Sequence, residues 1–292
     1  MNLDADLSPT AGPLLVTGAH GQLGTHVLEA AALRGIEIIG VDRADADITD
    51  EHQMQALFDD LHPSAVIHCA AYTNVDGAEA DREAAFRING EGSRLIAQLC
   101  HETGAHLVAV STDYVFPGTH PEGYAEHDLT GPINVYGESK LAGECAIRDV
   151  LGEDAAIART AWLFSAQAPN FVQTIAKAAR ERDVLDVVDD QHGNPTWCGH
   201  LAEALLTLAV ERIGGTHHLV GQPTATWRDL AQAVVDELGV ECEVRPTTSE
   251  AFVRPAKRAA CSILRVTNPQ TPEMGDWREG VRASLQDEVP VG

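Results

Sequence analysis

The chain has 292 residues, with 44 acidic side chains against 20 basic ones and a formal charge of −24 at pH 7. That excess opposes nonspecific contact with nucleic acid and anionic lipid. Only three of the basic residues are lysines, Lys140, Lys177 and Lys257, a balance read as halophilic adaptation of an acidic surface. The length suits one large α/β domain or two unequal ones. No stretch approaches the roughly 18 apolar residues of a membrane span. The six cysteines, at 69, 100, 145, 198, 242 and 261, form no C-x-x-C pair. They are read as reduced thiols of a cytoplasmic protein, with no metal site expected. Residues 1–11 carry neither the basic segment nor the apolar run of a signal peptide and are read as a disordered acidic tail.

Leu14-Leu15-Val16-Thr17 is a short apolar run that ends in Gly18-Ala19-His20-Gly21-Gln22-Leu23-Gly24, and helical periodicity follows through Leu33. Strand, glycine turn and helix in that order make a dinucleotide site, because the missing side chains let a pyrophosphate approach backbone N–H groups at a helix N-terminus. Ile36–Val41 predicts a second strand, closed by Asp42-Arg43, eighteen residues beyond Gly24. An acid there suits ribose hydroxyls, and the neighbouring arginine suits either a 2′-phosphate or simple solvation, so NADH and NADPH are both allowed. Asp47-Ile48 precedes a helix over 50–61. Ala65–His68 predicts a third strand, and Ala70-Ala71 at its end permits either close cofactor approach or ordinary tight packing.

Beyond the loop Tyr72-Thr73-Asn74-Val75-Asp76 a helical region is expected to reach Thr103. Leu107–Val110 is the fourth strand and ends in Ser111-Thr112-Asp113-Tyr114. Hydroxyls at the C-terminal end of a parallel strand lie where open α/β sheets place ligands; Thr112 suits a substrate carbonyl or, alternatively, a turn cap. A helix expected to start at Pro132 carries Tyr136 and Lys140, whose i, i+4 spacing puts both side chains on one face. The pair is either two solvated side chains or a phenol beside an ammonium that stabilises its ionised form.

Ala155–Arg159 predicts a fifth strand. From about residue 166 the βα rhythm weakens into a helix at 171–181, a strand at 184–188, a helix at 199–212, a strand at His217–Val220 and a helix at 227–238, where Thr226 and Asp229 form a capping pattern. His217-His218 is read as a strand pair with one face solvated. The basic island Arg254-Pro255-Ala256-Lys257-Arg258 suits either a diphosphate or a salt-bridged loop. The expected architecture is α/β: a Rossmann-type doubly wound parallel sheet over 12–165, joined by the helix at 199–212, and a smaller α/β substrate-binding domain over 166–292.

The ordered segments Ala70–Glu79, Ser111–Phe116, Asn134–Glu144, Arg159-Thr160-Ala161-Trp162 and Asp190–Thr196 together resemble the dTDP-4-dehydrorhamnose reductase family of extended short-chain dehydrogenase/reductases. The resemblance spans residues 13–265 and implies hydride transfer from NADPH or NADH to C4 of a nucleotide-linked 4-keto-6-deoxy sugar. It makes Tyr136 the proton donor, Lys140 the residue that lowers the tyrosine's pKa and holds the nicotinamide ribose, and Thr112 the residue that orients the carbonyl. The implied cofactor set is Gly18, Gly21, Gln22, Leu23, Gly24, Asp42, Arg43, Asp47, Ile48, Ala70, Ala71 and Thr73, with Tyr136 and Lys140. The implied substrate set is Val75, Thr112, Tyr114, Tyr136, Trp162 and Arg258. One departure concerns the family's Arg-Pro-x-Asn-Ser, which here reads Arg258-Ala259-Ala260-Cys261-Ser262.

Two other readings share the fold. A nucleotide-sugar epimerase or dehydratase oxidises C4 transiently, and dehydratases carry an Asp-Glu pair after the strand-four threonine, where Asp113-Tyr114 stands here. A non-catalytic regulatory subunit, like the beta subunit of methionine adenosyltransferase, also resembles this family. The expected partners are a nucleotide-sugar substrate and a second copy of the chain in a homodimer, with neither nucleic acid nor membrane.

Overall fold

The computed structural model describes residues 12–167 and 169–286, so the tail expected over 1–11 lies outside the described residues. The chain begins as alternating strands and helices: β1 (Leu14–Thr17), α1 (Gln22–Leu33), β2 (Ile38–Val41), α2 (Glu51–Leu61) and β3 (Ala65–His68). Next come α3 (Val75–Ala80), α4 (Arg82–Phe86), a π-helical turn over Arg87–Gly92, α5 (Ser93–Thr103) and β4 (His106–Thr112). The regular part closes with α6 (Val135–Leu151) and β5 (Ala156–Thr160). The strands are short and largely apolar because a parallel sheet is covered on both faces; β1, β3 and β5 are buried at every position, their polar residues included.

The second part of the chain is more fragmented. It contains β6 (Leu163–Phe164), α7 (Phe171–Glu181), β7 (Val184–Val188), β8 (His192–Gly193) and β9 (Thr196–Trp197). After these follow α8 (Cys198–Val210), β10 (Gly215–His218), β11 (Ala225–Thr226), α9 (Trp227–Leu238), β12 (Glu243–Thr247) and α10 (Trp277–Gln286).

The central sheet has six parallel strands in the order β10-β5-β4-β3-β1-β2. From β1 the chain crosses one way to β2 and then back past β1 to β3, so the crevice between β1 and β3 is the switch point where such sheets bind ligands. One face is covered by α1 and α8, with Val27, Leu201, Leu205 and Leu208 in its core; the other buries Met54, Phe58, Ile96 and Leu99 of α2 and α5. A third core, with Val172, Leu230, Val234, Val244 and Trp277, joins α7, α9 and α10 to the parallel pair β7 and β12.

Several local expectations need correction. The helix bearing Tyr136 starts at Val135 rather than Pro132, because the Asn134 side chain caps it by accepting the Gly137 N–H at 2.8 Å. The helical region after residue 72 is broken by the π-helical turn. The last sheet strand is Gly215–His218 and belongs to the large sheet. His217 and His218 are both fully buried, so neither faces solvent. His217 Nδ1 pairs with Thr271 Oγ1 at 3.0 Å and His218 Nδ1 with the Arg265 carbonyl at 2.9 Å. The capping box of Thr226 and Asp229 forms as its spacing implies. No described helix is long and apolar enough to cross a membrane.

Candidate active site

A cavity of about 960 Å³ runs from the glycine turn, across the switch point, to the fragmented C-terminal part. At its first end Gly18 turns with φ +71°, a conformation that suits a residue without Cβ. An added Cβ there would also lie 2.8 Å from the Ala70 backbone. The turn is therefore bare backbone against a small residue, a cradle that fits a dinucleotide pyrophosphate. At the end of β2, Asp42 Oδ2 accepts the His20 N–H at 2.6 Å and lies 2.7 Å from His20 Nδ1. Arg43 Nε donates to Asp47 Oδ2 at 3.2 Å, and the Thr49 N–H donates to Asp47 Oδ1 at 2.9 Å. The bond from the Thr49 backbone, more than the Arg43 charge, holds the Asp47 carboxyl below its usual range.

In the middle of the cavity α6 is pressed against the turn that follows β4. A Cβ on Gly137 would fall 2.2 Å from the Tyr114 carbonyl, so only a glycine allows this approach. It brings Tyr136 beside Thr112. The Tyr136 phenol is raised above the ordinary tyrosine range, by burial first and then by the Asp113 carboxylate, with the Thr112 hydroxyl opposing. Lys140 is not among the groups that act on it. In this arrangement the Lys140 ammonium donates to the Val110 carbonyl at 2.8 Å. Burial pushes Lys140 down to about 8, against the pull of Glu144. Asp113 itself is pushed up to about 6 by burial, with Ser262 and Thr112 hydrogen bonds opposing.

A buried polar chain stands behind this pair. His68 Nδ1 meets Thr17 Oγ1 at 2.8 Å and its Nε2 meets Ser93 Oγ at 3.2 Å. Ser93 donates to the Asn89 carbonyl at 2.7 Å, Asn89 Nδ2 donates to Ser139 Oγ at 2.9 Å, and Ser139 donates to the Tyr136 carbonyl at 2.7 Å. Burial drives His68 down to about 3, so it is neutral and serves as a fixed hydrogen-bonding bridge between β1 and α5. Satisfied throughout, such a network fixes one arrangement of the groups it joins.

The far end is aromatic. Trp162 stacks on Trp227 at the start of α9, with centroids 3.7 Å apart and planes within 8°, and Phe171 closes on Trp227 at 4.7 Å. Trp162 has φ +47°, a strained conformation for a bulky residue. Tyr114 meets Tyr136 edge-on at 5.5 Å. The basic island is ion-paired: Arg258 Nη2 reaches Asp76 Oδ1 at 3.1 Å and Arg254 Nη1 reaches Asp76 Oδ2 at 3.6 Å. Arg258 also lies over the Tyr114 ring at 5.7 Å, and Asn134 Nδ2 donates to the Lys257 carbonyl at 2.9 Å. The island is thereby strapped across α3, Tyr114 and the cap of α6.

Gly18, Gly21, Gln22, Leu23, Gly24, Asp42, Arg43, Asp47, Ile48, Ala70, Ala71, Thr73, Val75, Thr112, Tyr114, Tyr136, Lys140 and Trp162 all line this cavity. Arg258 does not; it stands behind Tyr114. Sequence reasoning missed Asp113, Asn170, Phe171 and Trp227, which line the same space. Asp113 sits inside a quoted motif, but its burial was not readable. The other three belong to segments whose approach to the cavity no local pattern signals.

A family model described as the RmlD substrate binding domain matches residues 12–289. A dTDP-4-dehydrorhamnose reductase of Streptomyces griseus is 42% identical over 292 aligned residues, covering 98% of this chain and 96% of its own. A dTDP-4-keto-6-deoxy-D-glucose reductase of Streptomyces niveus is 40% identical and covers 86% of this chain and 87% of its own. Among solved structures, a dTDP-4-dehydrorhamnose reductase from Bacillus anthracis in complex with NADP superposes with a TM-score of 0.90. It is 35% identical and covers 95% of this chain and 99% of its own.

Proposed function

The chain belongs to the dTDP-4-dehydrorhamnose reductase family of extended short-chain dehydrogenase/reductases, and from that premise we propose that it reduces the C4 keto group of a dTDP-linked 4-keto-6-deoxy sugar. The product is of the dTDP-L-rhamnose type, and the reductant is NADPH or NADH. The observation that carries the reading is the meeting of Thr112, Tyr136 and Lys140 in one cavity with the glycine turn at one end and the Trp162–Trp227 stack at the other.

The nicotinamide cofactor supplies the hydride. Gly18 to Gly24 would hold its pyrophosphate, Asp42 and Arg43 its adenine ribose, and Ala70, Ala71 and Thr73 its middle. The Thr112 hydroxyl, which donates to Asp113 Oδ1 at 3.0 Å, would turn its proton to the sugar carbonyl and orient it. Tyr136 donates a proton to the oxygen as negative charge develops there. A phenol with a raised pKa keeps its proton at neutral pH and releases it only to a strong base, which an alkoxide is. Lys140, on the same helical face, answers the resulting phenolate. Val75, Tyr114 and Trp162 contact the sugar. Arg258 steadies Tyr114 from behind. A division into a dinucleotide-binding part over 12–165 and a substrate-binding part over 166–292 accords with this assignment, with α8 and β10 returning to the first part. Six free thiols support a cytoplasmic location, and the −24 charge with its scarcity of lysine supports adaptation to high salt.

The test incubates the folded protein with dTDP-4-keto-6-deoxy sugar and either reduced cofactor, in dilute buffer and in molar KCl. Sugar-dependent loss of nicotinamide absorbance is expected, together with a higher Tm in KCl. Oxidation of neither cofactor by demonstrably folded protein overturns the reduction. An equal Tm in both salts overturns the halophilic reading.

A further inference from the structure

We propose that Glu144 is a positioning residue for the Tyr136–Lys140 pair: its buried carboxylate keeps the Lys140 ammonium charged and ties the helix that carries both residues to the ends of β4 and β5. The proposal rests on the reading of Tyr136 and Lys140 as catalytic, but its test does not.

Glu144 follows Lys140 by one helical turn, so the two share a face of α6, and it is only 2% exposed. Its Oε1 accepts Ser111 Oγ at 2.6 Å and Arg159 Nε at 2.9 Å; its Oε2 accepts Arg159 Nη2 at 2.7 Å. Arg148, one further turn along, lies 3.5 Å away. Ser111 and Arg159 are register partners across β4 and β5. Ser111 directly precedes Thr112, and Arg159 opens the run Thr160-Ala161-Trp162. One carboxylate therefore joins α6 to the two strand ends that deliver the hydroxyl and the indole to the cavity.

A buried ion pair is weak evidence of stability, since an apolar pair of similar volume often serves as well or better. What such a pair would not supply is charge beside Lys140. The groups that face Lys140 from the packed elements are otherwise neutral. From β3 and the residue after it, His68 is pushed down to about 3 and Cys69 is pushed up to about 12, both chiefly by burial, and the Cys69 thiol opposes the burial of Lys140 less than Glu144 does. From β4 comes only the Val110 carbonyl. Around Glu144, His218 of β10 is pushed down to about 4 by burial, and Arg159 of β5 is engaged with Glu144 itself. Asp113, beyond the end of β4, acts on Tyr136. Among the described residues Glu144 is thus the carboxylate whose charge opposes the burial of Lys140. Without it, an ammonium enclosed by apolar groups and one carbonyl sheds its proton more readily.

The lysine scarcity makes this directly measurable. Lysine labelled at Cε and Nζ gives three resonances in the full-length protein, two from the exposed Lys177 and Lys257 and one from the buried Lys140. Lys177→Arg and Lys257→Arg assign them. In the unsubstituted chain the Lys140 resonance is expected to titrate with a midpoint near 8, well below the ordinary lysine value. Glu144→Gln, which keeps the size and one acceptor oxygen but not the charge, should move that midpoint down by about 1 pH unit or more. Glu144→Asp should restore most of it. Where Glu144→Gln fails to fold, Glu144→Gln with Arg159→Met removes both charges at similar volume and is read against Arg159→Met alone, so that the lost cation cancels. An unmoved Lys140 midpoint in either folded variant, even with a lowered Tm, reduces Glu144 to a packing role and overturns the proposal. Neither sugar nor cofactor is in the sample, so a failed reductase assay leaves this result intact.

Discussion

The two ends of the cavity are built by different means. At the cofactor end every wall comes from consecutive βα units: the turn after β1, the acid after β2 and the alanines after β3 follow one another in the chain and are positioned by sheet register. At the substrate end, Tyr114, Trp162, Phe171 and Trp227 come from segments spread over more than a hundred residues of chain, held by ring stacking and by the strap of Arg254 and Arg258 on Asp76. The first arrangement is repeatable and tolerant of what lies beyond it. The second depends on each remote segment arriving.

The electrostatics divide in the same way. Asp47, at the cofactor end, is held ionised by the Thr49 N–H and by Arg43. Asp113, at the seam, is pushed towards its neutral form by burial. One carboxylate gains from folding and the other is strained by it.

The largest expected effect tests the seam that both ends share. Tyr136→Phe should lower kcat by about 10²–10⁴-fold, the range for loss of a general acid, while reduced-cofactor affinity, read by fluorescence titration, stays unchanged. A rate within a few-fold of the parent removes the phenol from the chemistry. Next comes the substrate end alone. Trp227→Leu strips Trp162 of a stack worth about 0.5–1.5 kcal/mol beyond area burial, so KM for the nucleotide sugar should rise by about 2- to 10-fold with cofactor affinity constant. A change in cofactor affinity instead would show that the two ends are not separable.

The smallest effect, a few degrees in Tm, separates the two carboxylates by sign. Asp113 has a folded pKa of about 6, above the 3.8 of an unperturbed aspartate. Its cost to stability is therefore absent in acid and grows as pH rises from 4 through 6. Asp113→Asn should become relatively more stable than the parent over that window. Asp47 has a lowered folded pKa, so its contribution is present above pH 4 and fades as pH falls below it. Asp47→Asn should lose Tm at neutral pH and converge with the parent in acid. Melting curves between pH 3 and 7 read both, and parallel behaviour of the two variants would break the comparison.

Legibility follows the same division. Glycine spacing, the run to Asp42, the capping box at Thr226 and the i, i+4 relation of Tyr136 and Lys140 are local properties of the chain, carried by backbone geometry within a few residues, and each stands in the structure as read. The start of α6 was misplaced because Pro132 is a permissive helix opener while the Asn134 cap at the Gly137 N–H is the stronger stop. The parallel pairing of β7 with β12 and the helix α10 were not read at all.

By itself, then, the sequence determined a dinucleotide turn, a doubly wound sheet and a phenol and ammonium on one helical face, because short-range sterics and periodicity encode all three. Only the tertiary structure decided that Gly137 lets that face touch the Tyr114 carbonyl, that Trp227 backs Trp162, and that Lys140 turns to Val110 with Glu144 behind it. Those relations depend on burial and on contacts between segments far apart in the chain, and burial is what moves the proton affinities of Tyr136, Lys140 and Asp113 away from the values their residue types alone would suggest.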